Sequence, residues 1–179
     1  MVWNLRRIQQ RETEAVTARD PFKNPFAASD KDRRAIWEML VERDIAAFLN
    51  ADWSMVAGDF IAEAFIGIDC RRAGNPDDWR LGFPDLAAYR DEWLRQANEF
   101  AGQKFAEDPR AAIFHATTLH DIEVSGNLAL AHKKFDGGIR RADGGTDTMN
   151  WQTLYYCRRA GGAWRITGFS GYMPNPMGG

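Results

Sequence analysis

Between residues 111 and 173 the chain offers little but strands and tight turns. Strand-like segments over roughly 111–124, 127–136, 147–158 and 163–173 are separated by Ser125-Gly126-Asn127, Asp143-Gly144-Gly145 and Gly161-Gly162. Breaks so short and glycine-rich read as hairpin turns, because the tight turns that join antiparallel strands need the positive φ that glycine adopts freely. The expected product is an antiparallel meander, and its apolar face needs a cover. The first half of the chain supplies one. Ser29-Asp30-Lys31-Asp32 offers an N-cap with an acid three positions on, and Ile36, Leu40, Ile45 and Phe48 follow at helical spacing, so a helix is predicted over about 31–49. Asp52 caps a second, short helix from Trp53 to Phe60, and Phe65-Ile66-Gly67-Ile68 reads as a buried strand. The turn formers from Asp69 to Gly82 predict a loop. Pro84 then fits the first turn of a long helix in which Leu86, Tyr89, Trp93, Ala97 and Phe100 form one apolar face down to about Phe105, and Asp108-Pro109 ends it. Helices followed by a meander predict an α+β domain, with the N-terminal helices packed in a curved antiparallel sheet.

Composition narrows the function classes. The chain has 179 residues, 45% hydrophobic, 12% aromatic and 27% charged, enough for one domain with a large aromatic core and no need of a metal or disulfide. A net charge of -2 and a pI near 5.9 give no field that would draw phosphate backbones or anionic lipid, so neither nucleic acid nor membrane is an expected partner. The pairs Arg71-Arg72, Arg140-Arg141 and Arg158-Arg159 read as solvated strand ends. Cys70 and Cys157 stand alone, which gives neither a disulfide framework nor a zinc site. The first residues lack the apolar stretch of a signal peptide, and no run is long and apolar enough to span a membrane, so the expectation is a cytoplasmic protein. Residues 1–28 read as an N-terminal arm, with Phe22 and Phe26 seeking a surface on the domain or on a partner subunit. Residues 29–179 read as a single domain.

The order of these segments resembles a known family. Phe48-Leu49-Asn50-Ala51-Asp52-Trp53-Ser54-Met55-Val56, then Phe60 and a short strand ending Ile68-Asp69, looks like the opening of the NTF2-like superfamily. Ile122-Glu123-Val124-Ser125-Gly126-Asn127-Leu128-Ala129 and Ala163-Trp164-Arg165-Ile166 resemble its closing strands. Within the superfamily the chain is most similar to the SnoaL-like group of polyketide cyclases and related dehydratases, over about residues 30–173. The resemblance implies the α+β cone of the cystatin-like fold, a funnel-shaped pocket between the concave sheet and the long helix, and a homodimer formed through the outer face of the sheet.

Phe65, Trp93, Met149, Trp151, Tyr155 and Phe169 supply the rings and soft surface such a pocket would need, and equally the filling of a solid core; both readings stand. Of the histidines, His115 falls where SnoaL-like dehydratases carry an active-site histidine, counting back from Val124. Strict alternation sets it on the face of Asp121 and Glu123, and only a β-bulge between 116 and 121 would turn it inward. His132 shares a face with Leu128 and Leu130 and is a second candidate polar group of the pocket. Asp69, ending the first strand, lies one residue from the place of the proton-shuttling aspartate of ketosteroid isomerases, or else pairs on the surface with Arg71 and Arg72. The departures are equally specific. Phe48 and Leu49 stand where the dehydratases have tyrosine and aspartate, and the isomerase oxyanion tyrosine would fall near Asp44 or Ile45. No metal cluster, phosphate-binding turn or cofactor is implied. Two function classes remain: cofactor-independent acid–base catalysis (isomerisation, cyclisation or dehydration) on a small, mostly apolar carbonyl compound by His115 and Asp69, and a non-catalytic ligand-binding or protein-interaction module on the same cone. Whether His115 and Asp69 face one cavity discriminates them.

Overall fold

The computed structural model describes residues 20–177; the N-terminal part of the arm lies outside the described residues. The helical run predicted over 31–49 is present, with an irregular middle: α1 (Lys31–Trp37) passes through a π-helical turn (Glu38–Arg43) into α2 (Asp44–Leu49). Asp30 caps α1 by accepting from the Arg33 N–H. Asp52 caps as expected, but only a pair of 3₁₀ turns, Trp53–Met55 and Ala57–Asp59, replaces the predicted second helix. Strand β1 (Ile66–Asp69) follows. The segment predicted as a loop contains β2 (Arg80–Phe83), which pairs antiparallel with β1. Helix α3 (Leu86–Ala101) starts under an Asp85 cap.

The main correction lies downstream. Residues 111–116 are not strand: Asp108 caps, and Pro109 opens, a further helix, α4 (Pro109–Ala116). Proline is suited to a first helical position because the N–H it lacks would have had no partner there. Strands β3 (Thr117–Ser125), β4 (Leu128–Arg140), β5 (Thr146–Ala160) and β6 (Ala163–Met173) then form the expected meander. The six-stranded sheet has the order β2-β1-β6-β5-β4-β3 and is antiparallel except where β1 runs parallel to β6. Register shifts between Thr118 and Asp121, Gln152 and Leu154, and Tyr156 and Cys157 mark bulges that bend the long strands.

The bent sheet wraps the helices. Ala129, Ala131, Phe135 and Ile139 of β4 and Trp164, Ile166 and Phe169 of β6 point inward against Ile36, Trp37, Leu40, Val41 and Ile45, all buried. Burying side chains of this size contributes about 1.5–3 kcal/mol each. Helix α3 closes the open side by setting Trp93 and Ala97 against Ala47 and Val56. In the described part of the arm, Phe22 packs on Phe114 at a centroid distance of 4.8 Å and Phe26 joins the core, so both rings rest on the domain itself.

Candidate functional site

Sheet and helices do not meet everywhere. Between α2, α3 and the concave face lies a cavity of about 440 Å³, within the range of small-molecule sites. Trp93, Met149, Trp151, Tyr155 and Phe169, five of the seven residues proposed as ligand contacts, line it. The other two are elsewhere. Phe65 forms a second layer, stacked on Tyr89 at 5.4 Å and edge-on to Phe169 at 5.9 Å. His132 is on the opposite face of β4, where its Nε2 shares a 2.6 Å hydrogen bond with Gln152 Oε1. Inward-facing positions of β4 are instead Ala131, Lys133 and Phe135, all buried.

The catalytic pair proposed from sequence is not assembled. His115 is exposed in the last turn of α4, where Nδ1 donates to the Ala111 carbonyl at 2.7 Å and the ring meets Phe22 edge-on. A bulge does occur between Thr118 and Asp121, but His115 precedes the strand, so the bulge cannot turn it. The same helix points Ile113 into the cavity. Asp69 ends β1 as expected. Its Oδ1 accepts the Arg71 N–H at 2.9 Å, and it lines a shallow outer groove with Arg71, Gly82 and Glu92. That groove meets the cavity at Arg72, Gln96 and Tyr172, so Asp69 stands outside the mouth while His115 is on the exterior of another element.

A different polar group is in the wall. Lys133 is buried, its side chain 1% exposed, and Nζ donates to the Leu40 carbonyl at 2.5 Å and to Asp44 Oδ2 at 2.7 Å. The π-helical turn prepares this contact. The Asp44 N–H is directed to the Val41 carbonyl rather than to Leu40 four residues back, so it does not compete with the ammonium for the Leu40 oxygen. Tyr89 and Tyr155 flank the pair. Burial pushes both phenols well above their usual range; for Tyr89 the neighbouring Tyr155 and Asp44 add to the effect, and for Tyr155 the nearest addition comes from Asp44. They are neutral O–H donors, and neither hydroxyl has a hydrogen-bond partner among the described residues. Tyr172, also pushed up by burial, sits at the mouth beside Gln96. An aromatic hollow thus ends on a buried ammonium, a carboxylate 31% exposed, and two open hydroxyls.

The architecture has counterparts among solved structures. An NTF2-like protein of unknown function from Shewanella baltica OS155 superposes with a TM-score of 0.51 at 14% identity, over 83% of this chain and 96% of its own. A domain of unknown function with a cystatin-like fold from Nostoc punctiforme PCC 73102 gives a TM-score of 0.52 at 15% identity, over 82% and 78%. The fold is NTF2-like. A further NTF2-like protein, from Pseudomonas putida KT2440, agrees at a TM-score of 0.50 and 19% identity, over 78% and 84%. At these identities the likeness is one of fold. No protein-family model matches the sequence, and no curated protein matches it. Among the described residues no helix is long and apolar enough to cross a membrane.

Proposed function

We propose that this NTF2-like protein is a SnoaL-like one that binds a small, mostly apolar carbonyl compound in its cone. The observation that carries the reading is the buried Lys133–Asp44 pair at the end of an aromatic hollow. Replacing a buried ion pair with apolar residues is commonly neutral or stabilising, so a pair kept beside a cavity points to a ligand rather than to the core. Rings of Trp93, Trp151 and Phe169 take the apolar body, and Lys133 with the Tyr89 and Tyr155 hydroxyls provides donors for a carbonyl oxygen. Tryptophan emission is the direct test, because Trp93 and Trp151 line the cavity. Titration with 2-acetylnaphthalene is expected to quench it saturably, with a smaller amplitude in Trp151→Phe. An absence of saturable binding overturns the reading.

A second reading, cofactor-independent proton transfer, is favoured by Asp44. A carboxylate beside neutral phenols can take a proton from the carbon next to a carbonyl while an O–H or the ammonium stabilises the enolate oxygen. His115 and Asp69 have no part in this step, since they stand apart from the cavity. Deuterium uptake into the methyl group of 2-acetylnaphthalene in D₂O, lost in Asp44→Asn, is the expected result; no uptake above the buffer rate leaves binding alone. We further propose a cytoplasmic homodimer formed through the outer sheet face, where Ile66, Leu81, Leu128 and Leu130 are exposed. Light scattering is expected to give a dimer mass for the native chain and a monomer for Leu130→Arg.

A further inference from the structure

Four ionisable carboxylate, lysine and arginine side chains line the cone, and three of them are paired. Lys133 and Asp44 hold each other, and Asp147 accepts from Arg141 Nη1 at 3.1 Å. Arg72 has no carboxylate partner among the described residues. Its guanidinium lies over the Trp151 ring, 5.3 Å from the centroid, and Trp151 is stacked on Phe135 at 4.5 Å, so the exposed side chain carries its charge along the aromatic wall of the mouth. The backbone beneath it is equally constrained. Arg71, Arg72 and Tyr172 have φ of 53°, 57° and 57°, and the Arg72 N–H donates to the Tyr172 carbonyl at 2.7 Å. Left-handed conformations at non-glycine residues are costly and collect at ligand sites. Arg72 also belongs to both the cone and the outer groove, which places it at the junction of the two.

We propose that the ligand of the cone is a carboxylate, with its apolar body among the rings and its anionic group seated on the Arg72 guanidinium at the mouth. This rests on the reading that the cone binds a small molecule, and adds the ligand's charge and orientation. In the groove beyond Arg72 the charge of Arg71 is offset by Asp69 and Glu92, so the groove does not draw an anion outward and the anion's seat is on the Arg72 guanidinium at the cavity mouth. The planar guanidinium matches a carboxylate through two parallel hydrogen bonds, while the other end of the ligand meets Lys133 and the two phenols.

The experiment compares 3-(2-naphthoyl)propionate with its primary amide, which has the same body and no charge, by tryptophan quenching at low and high salt. In the native protein the acid is expected to bind about tenfold more tightly than the amide, the margin by which a charge-assisted hydrogen bond exceeds a neutral one. The preference is expected to shrink with salt and to vanish in Arg72→Gln while amide affinity stays the same; Arg72→Lys is expected to keep part of it. Equal affinity for acid and amide in the native protein, or a preference that survives Arg72→Gln, overturns the carboxylate inference and leaves the cone as a ligand site. Binding of neither compound overturns both.

Discussion

Removing either member of the Lys133–Asp44 pair abolishes the same contact, yet the two losses are expected to differ in size. The ammonium is 1% exposed and keeps the Leu40 carbonyl and the face of Phe135, 5.0 Å away, but no counter-charge once Asp44 is gone, whereas the Asp44 side chain is 31% exposed and opens on the cavity. Asp44→Ala therefore strands a buried cation, which costs about 3–5 kcal/mol. Lys133→Met preserves the stem that packs in the core and leaves a carboxylate that water can reach, so its cost is that of the two hydrogen bonds to Asp44 and the Leu40 carbonyl, about 2 kcal/mol. At roughly 2–4 °C per kcal/mol for a domain of this size, Asp44→Ala is expected to lower Tm by about 10 °C and Lys133→Met by a few degrees. The double variant Asp44→Leu/Lys133→Met, with no charge left behind, is expected to be more stable than Asp44→Ala alone. Urea and thermal unfolding followed by circular dichroism measure all three. Equal losses in the single variants, or a larger one in Lys133→Met, would refute the argument that solvent access decides the cost.

Asp32 joins α1 to the last hairpin by accepting from Trp164 Nε1 at 3.2 Å and from Arg159; these bonds, Trp164 first, hold its carboxyl below the ordinary 3.8. A lowered pKa stabilises the fold above the unfolded value, and that stabilisation is lost as pH falls through the folded value. Asp32→Asn is thus expected to have a lower urea midpoint than the native chain near neutral pH, with the gap closing below 3.8; a gap independent of pH refutes this. Burial pushes the thiols of Cys70 and Cys157 up to about 11 and about 12. Both are expected to be inert to Ellman's reagent at mildly alkaline pH until urea unfolds the chain, because the thiolate is the reactive form. A Cβ at Gly168 would stand 2.3 Å from the Ile66 carbonyl oxygen across the parallel β1–β6 ladder, whereas one at Gly58 meets nothing within 4 Å. Gly168→Ala is expected to lower Tm by several degrees and Gly58→Ala scarcely at all; equal Tm values for the two variants count against the ladder as drawn.

Local signals were readable where one interaction dominates. The hairpin glycines Gly126 and Gly161 take the positive φ their turns need, and Asp52 caps the turn it begins; the caps of α1 and α3 are Asp30 rather than Ser29, and Asp85, which leaves Pro84 just outside its helix. The error at α4 has a local cause. Asp108-Pro109 can signal a stop for a preceding helix or a capped start for the next, and the strand-like composition beyond it favours the first meaning; in the structure α3 has already ended at Ala101 and the pair only starts α4. His115 was lost with it, since counting back from Val124 assumes one uninterrupted strand. Lys133 was missed because both faces of β4 are apolar: Leu128 and Leu130 on one, Ala129, Ala131 and Phe135 on the other. Alternation identifies two faces without saying which is inside.

The α+β class, the long strands and the helical run from Lys31 to Leu49 follow from the order of residues, because each depends on periodicity and capping within a few turns of chain, and four of the nine rings that line the cavity, Trp93, Trp151, Tyr155 and Phe169, were legible with them. The choice of Lys133 over His132, the pairing of Lys133 with a residue 89 positions away, and the union of Arg72 with Trp151 at one mouth were decided only when the sheet bent. Bulges and a π-helical turn set which face of each strand is concave, and those are properties of packed elements rather than of any stretch of sequence.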